Sequence, residues 1–107
     1  MYEERLKIYD ELVAKCDRFE RKGKTMPFTS ANGYMFSLLN KAGELGIRFS
    51  KEVQKKYIDE WDSDLFRSYN SIMHGYVLIP DAMLEDLDKL AEYLNESNDY
   101  VMTLEPK

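Results

Sequence analysis

The sequence predicts a single α+β domain in which helices pack on an antiparallel sheet, with the order helix, three strands, helix, two strands, helix. Residues 34–39 are aromatic and apolar, and residues 44–49 alternate strictly between apolar and polar side chains, as strands do. Asn32 and Gly33 form the strongest short hairpin signal, and the polar loop at residues 40–43 supplies a second turn. A three-stranded antiparallel meander is therefore expected to be the nucleus of the fold.

The remaining elements follow from amphipathic patterns and their end signals. In chain order they are a helix over residues 2–22 stopped by Gly23, a helix over 51–61 after the N-cap Ser50, strands over 65–69 and 76–79 around a turn at 70–75, and a last helix from Asp81. A second start capped by Asp86 predicts a break near residue 85, and residues 96–104 fit a further helical turn. Residues 105–107 are expected to fray.

Composition describes an ordinary globular domain with an acidic end. The 107 residues carry a net charge of −5, and residues 80–107 hold two Lys/Arg against eight Asp/Glu. An acidic chain is a poor general binder of polyanions. No apolar run approaches the roughly 20 residues of a membrane span. Cys16, the only cysteine, excludes an internal disulfide and fits a cytoplasmic protein, and it lies on the apolar stripe of the first helix as an inert, packed thiol.

One cationic run departs from this acidity. Arg18, Arg21, Lys22 and Lys24 lie where the first helix is expected to end, and they are the candidate nucleic-acid contacts. The alternative interpretation is that they are solvated cations favoured there by the helix dipole.

No residue pattern indicates catalysis, a metal site or a cofactor. His74 is the only histidine, 58 positions from Cys16, and it is expected in a turn beside Gly75. The Asp62-Ser63-Asp64 segment lacks the glycine and the closing glutamate of a calcium loop. We therefore expect a protein that is not an enzyme.

Two strand positions carry further expectations. Gly46, inside a strand, indicates close approach of another element, for which we favour a helix over a ligand. Pro27 cannot donate a ladder hydrogen bond, so Met26, Pro27 and Phe28 are expected to form an edge where association occurs.

Several stretches, taken in their order and spacing, resemble the TfoX/Sxy N-terminal-domain family. They are residues 24–26 (KTM), 33–39 (GYMFSLL), 45–49 (LGIRF), 76–81 (YVLIPD) and 84–87 (LEDL) with Leu90. The likeness covers roughly residues 24–94. The resemblance implies a fold similar to type III secretion chaperones and YjbR-like proteins, and a link to bacterial transcriptional regulation of competence. Full-length regulators of the family add a C-terminal domain. A glycine pair commonly follows the Met-Phe of their first strand; this sequence lacks that pair and has residues 26–29 in its place.

Three functional hypotheses follow. The first is a non-enzymatic interaction module, a regulator or adaptor that binds a protein partner or forms a homodimer. The second is a DNA-contacting accessory domain that uses the cationic run. The third is a small-ligand binder with a pocket between sheet and helices near Gly46. The family supplies no catalytic residues to transfer.

Overall fold

The structure, a computed structural model, describes residues 2–23, 26–68 and 71–106 and confirms the α+β class with the predicted order of elements. The elements are α1 (Tyr2–Ala14), β1 (Phe28–Ala31), β2 (Tyr34–Leu39), β3 (Leu45–Arg48), α2 (Lys51–Glu60), β4 (Leu65–Ser68), β5 (Ser71–Leu78), a 3₁₀ helix (Asp81–Glu85) and α3 (Leu87–Met102). The five strands form one antiparallel sheet in the order β1-β2-β3-β5-β4. None of the described helices is long and apolar enough to cross a membrane.

The predicted meander is present, and its first turn has the expected chemistry. Asn32 and Gly33 have φ values of 57° and 83°, the two positive angles that a two-residue hairpin turn of the primed type requires. Gly43, with φ 82°, closes the second loop. β3, the strand with the alternating pattern, pairs with β2 so that Ile47 lies opposite Ser37 and Leu45 opposite Leu39.

A β-bulge in β2 decides which side chains face the helices. Thr29 pairs with Ser37 and the next residue of β1 pairs with Met35, so Phe36 has no partner across the strand. Consequently Phe36 and Ser37 both point to the helical side. Phe36 is fully buried and packs edge-on against Phe19 at 5.0 Å, while the Ser37 hydroxyl shares a 2.6 Å hydrogen bond with that of Tyr9 in α1.

All three helices pack on this same face of the sheet. Tyr57 of α2 contacts Phe49 with ring centroids 4.9 Å apart, and Ser97 of α3 donates to the Phe36 carbonyl at 3.3 Å. A second, smaller cluster lies on the opposite face, with Leu38, Phe66 and Tyr76 at its centre. Among the described residues, no helical residue belongs to that second cluster. One face of the sheet therefore has no helical cover.

The predicted length of the first helix is wrong. The helix ends at Ala14 rather than at residue 22. Just after Ala14, hydrogen bonds that span three residues run from Lys15 N to Leu12 O and from Cys16 N to Val13 O. The chain then leaves the helix axis, which lets Cys16 pack beside the Ala91 carbonyl of α3. Tertiary packing has overridden the local helical pattern.

The predicted turn at residues 70–75 is also wrong over its described part. β5 already begins at Ser71, and His74 lies exposed within it rather than in a turn. The pairing between β4 and β5 is irregular between Leu65 and Arg67, and Gly75 has φ 97°. An irregular strand containing a positive φ resembles a turn in sequence, which explains the error.

The predicted break before the last helix is confirmed. A 3₁₀ helix precedes it, and the Asp86 carboxylate caps α3 by accepting from Lys89 N at 3.2 Å. The expected further helical turn is the end of α3, which runs to Met102. In the C-terminal segment, the Tyr34 hydroxyl donates to the Glu105 carbonyl at 2.7 Å, and residue 107 lies outside the described residues.

Gly46 does mark a close approach, but the predicted partner was wrong. A Cβ atom at this position would lie 2.3 Å from Cγ of Phe66, so the fully buried ring of β4 occupies the space over the glycine. β5 lies between β3 and β4 in the sheet. The β4–β5 hairpin therefore curls back over the helix-free face.

Phe36→Ala should destabilise the protein by about 3–5 kcal/mol, because the ring is fully buried at the bulge and its loss leaves a cavity. Denaturant unfolding should show a lower midpoint that does not depend on protein concentration. Ile72→Ala, at an exposed position of β5, serves as the control. A small, concentration-dependent shift for Phe36→Ala would instead mean that the ring belongs to an interface.

Gly46→Ala should cost about 1–3 kcal/mol, because the new methyl group forces the Phe66 ring out of its position. Equilibrium unfolding of the single variants and of Gly46→Ala/Phe66→Leu provides a double-mutant cycle. We expect the destabilisation of the double variant to be smaller than the sum of the destabilisations of the two single variants. Strict additivity would show that the two residues do not compete for space.

Candidate functional site

The helix-free face carries an open cleft with apolar walls, hereafter the apolar cleft. It has a volume of about 460 Å³ and is lined by Met26, Phe28, Met35, Leu38, Ser68 and Met73. β1, β2 and Met26, which lies just before β1, form one wall, and the β4–β5 hairpin forms the other. The cleft exists because the hairpin curls over the sheet without closing on the first two strands.

Methionine dominates the walls of the apolar cleft. Met26, Met35 and Met73 are half-buried there, and they are three of the six methionines in the chain. Methionine side chains are flexible and polarizable, so they adapt to partners of different shape. The lining can therefore accommodate an apolar occupant that is not rigidly matched to it.

A second open cleft, hereafter the polar cleft, continues from the first. It has a volume of about 490 Å³, and it shares Met26 and Ser68 with the apolar cleft. The rest of its lining is Asn40, Lys41, Ala42, Glu44 and Arg67. An apolar surface thus passes directly into one that carries charge.

Asn40 ties the two walls of the site together. Its side-chain oxygen accepts from Glu44 N at 2.9 Å, and its amide nitrogen donates to the Arg67 carbonyl at 2.8 Å. The same nitrogen also donates to the Glu44 carboxylate at 3.1 Å. One buried amide therefore folds the loop after β2 and joins that loop to β4.

Ser68 is the one lining residue with an unmet hydrogen-bonding need. Its side chain is buried, the residue being 7% exposed, and Oγ has no hydrogen-bond partner among the described residues. Buried hydroxyl groups are nearly always paired, because the lost hydration costs free energy that nothing else replaces. Ser68 lines both clefts, so this hydroxyl lies close to the space that an occupant would fill.

Tyr76 supports the β2 wall from the same face of the sheet. Its hydroxyl donates to the Met35 carbonyl at 2.7 Å, and burial raises the pKa of Tyr76 to about 12. The phenol is therefore neutral at physiological pH, and it remains a hydrogen-bond donor throughout the range in which the protein would work.

In the predicted cationic run, the two arginines form ion pairs and Lys22 is exposed. Arg18 pairs with Asp99, and Arg21 pairs with Asp10 at 2.7 Å. Lys22 Nζ lies 3.5 Å from the Ser30 hydroxyl, and Lys24 lies outside the described residues. Because α1 ends at Ala14, these cations are also not at a helix end, so the helix dipole does not explain them.

The predicted association edge lies beside the apolar cleft. Met26 and Phe28 line the cleft, whereas Pro27 is buried. The backbone of Phe28 is already paired on its outer side, since it exchanges two hydrogen bonds of 2.8 and 2.9 Å with Lys22. The side chains, rather than the strand edge, are thus what this segment presents.

The other residues singled out in the sequence do not assemble a site. Cys16 is buried, and desolvation raises the pKa of its thiol, which keeps it protonated and unreactive. On the helical side of the sheet, the space beside Leu39 and Leu45 holds only about 10 Å³, too little for a ligand. Within residues 2–23, 26–68 and 71–106, no group of three His, Cys, Asp or Glu side chains could hold a metal ion.

Comparison with known proteins adds no further assignment. No protein-family model matches the chain, and no curated protein matches it in sequence. The resemblance to the TfoX/Sxy N-terminal-domain family therefore stays a prediction, and function has to be argued from the geometry of the clefts.

Asn40→Asp should destabilise the protein by about 1–3 kcal/mol. The carboxylate can still accept from Glu44 N, but it cannot donate to the Arg67 carbonyl and it adds a charge beside Glu44. Denaturant unfolding and amide hydrogen exchange measure the effect, with faster exchange expected in β4. Lys55→Ala, at an exposed position of α2, is the control. Unchanged exchange in β4 would show that the amide does not anchor the hairpin.

Proposed function

We propose that this protein is a non-enzymatic interaction module, a regulator or adaptor, which docks a partner through the apolar cleft. The observation that carries the proposal is a methionine-lined cleft on a sheet face that no described helix covers. An antiparallel sheet can leave one face in water, and that face is then usually polar. Here the uncovered face instead carries a contiguous group of apolar side chains, which is typical of an interaction surface.

The size and composition of the cleft favour binding of a partner over catalysis. Contiguous apolar surface rimmed by polar residues is typical of protein interaction sites. Around the cleft, the polar rim is supplied by Glu44 and Arg67 of the adjoining surface. By contrast, no nucleophile with an adjacent base lines either cleft among the described residues. This supports a binding role rather than an enzymatic one.

The alternative of DNA contact has less support. The two arginines of the cationic run are each paired with a carboxylate, and each such pair lowers the positive potential that a phosphate backbone would meet. A homodimer through the apolar cleft remains compatible with the proposal, since a second copy is one partner that presents apolar surface.

The biological setting is proposed on sequence grounds. The resemblance to the N-terminal domain of competence regulators supports a role in bacterial transcriptional regulation. A single cysteine, buried and protonated, supports a cytoplasmic location, where disulfides are rare.

Met73→Glu should abolish partner binding, because it places a charge inside the apolar cleft. Ile72→Glu is the matched control: it lies next to Met73 on β5, is 42% exposed and does not line the cleft. Cross-linking capture and analytical ultracentrifugation compare the two variants with the wild type for protein partners and self-association. Binding should be lost only for Met73→Glu, after circular dichroism has verified folding.

NMR spectra of the protein with methyl-labelled methionine then show which methionines contact the partner. In any complex that passes the variant test, the Met26, Met35 and Met73 signals should shift, while Met83 and Met102, outside the cleft, should not. Complexes that survive Met73→Glu, or that leave the three cleft methionines unmoved, would refute docking at this surface. If Met73→Glu fails to fold, Met26→Glu at the rim takes its place.

A further inference from the structure

The two adjoining clefts differ in chemistry, and Ser68 lies where they meet. On one side of Ser68 the lining is methionine, phenylalanine and leucine, and on the other side it carries charged and amide groups. The Ser68 hydroxyl is buried at this junction and has no partner among the described residues. An occupant that satisfies the whole surface must be apolar at one end, and at the other it must offer a hydrogen-bond acceptor or donor.

We propose that the occupant is an acidic peptide segment of a partner protein, whose apolar side chains fill the apolar cleft and whose carboxylate pairs with Arg67 in the polar cleft. An oxygen of the same segment accepts a hydrogen bond from Ser68 Oγ. This inference rests on the proposed docking function and specifies the chemistry of the partner.

Charge complementarity identifies the acidic end. Lys41 and Arg67 line the polar cleft against one carboxylate, that of Glu44, whereas the chain as a whole has a net charge of −5. The Glu44 carboxylate accepts from Asn40, and no ion pair joins it to Arg67 among the described residues. Arg67 lines the polar cleft and is exposed, and a guanidinium group binds carboxylates through paired hydrogen bonds.

The open shape favours a peptide over a small amphiphile. Small-ligand sites typically enclose most of the ligand surface. Here four of the apolar lining side chains remain half-exposed, and the two open clefts share Met26 and Ser68. A peptide that belongs to a folded partner brings its own cover, and adaptable methionine walls are common where helices or extended segments dock.

A displayed library of random peptides, selected on the intact protein, tests the proposal. Enriched peptides should share two or more apolar residues near an Asp or Glu. Fluorescence anisotropy should show binding weakened about fivefold by Arg67→Glu, the scale of a single exposed ion pair. Ser68→Ala should weaken binding about twofold to tenfold through loss of one hydrogen bond. Lys55→Glu, an exposed charge reversal on α2, is the control and should leave binding unchanged.

Exchanging the charges of the peptide and of residue 67 gives the decisive test. Replacing the acidic residue of an enriched peptide by lysine should weaken binding to the wild type and restore it to Arg67→Glu. Failure of this rescue, enrichment of neutral or basic peptides only, or no enrichment at all, overturns the acidic-peptide assignment. Binding of dodecanoate in the absence of any acidic-peptide binding also overturns it, because the occupant is then a small amphiphile.

The methionine spectra separate this failure from failure of the docking function. Peptides that are not acidic but shift Met26, Met35 and Met73 would leave the apolar cleft as the docking surface and remove only its acidic specificity. Enriched peptides that shift none of these three signals would overturn both proposals, because binding would then occur elsewhere on the protein.

Discussion

The bulge at Phe36 is the constraint on which the arrangement of the sheet depends. In a regular strand Phe36 and Ser37 would face opposite sides, so only one of them could meet the helices. The extra residue places both on the helical side, where Ser37 bonds Tyr9 and Phe36 fills the core. It also places Leu38 on the opposite face, where Met35 lies, whereas Leu39 faces the helices. The apolar cleft is built on that displacement.

The sequence predicted the elements whose signals are local. The alternation of β3, the Asn32 turn and the Asp86 cap all depend on residues within one turn or strand, and each is present in the structure. The end of α1 was not predictable in this way. Its apolar pattern continues past Ala14, but the chain leaves the helix there and brings Cys16 beside α3 and Phe19 against Phe36, contacts between residues far apart in the sequence.

The candidate site was predictable only on one wall. Pro27 marked the segment of Met26 and Phe28 as unusual, and both residues line the apolar cleft. Met73 and Ser68 were missed, because the first part of β5 was interpreted as a turn and because an unpaired hydroxyl has no sequence signature. Gly46 did signal close packing, but a glycine reports that space is needed without reporting which residue occupies it.

Phe66 and Asn40 together explain why the helix-free face is half closed. The Phe66 ring lies over Gly46 and seals the sheet at β3, while the Asn40 amide holds the Arg67 carbonyl at the rim. The hairpin is thus anchored at two points, and it stands away from β1 and β2 between them. Such a clamp gives the cleft fixed walls at its base and adaptable methionines along its sides. Under the proposed docking function, a surface built in this way is organised before a partner arrives, so binding would order little more than side chains.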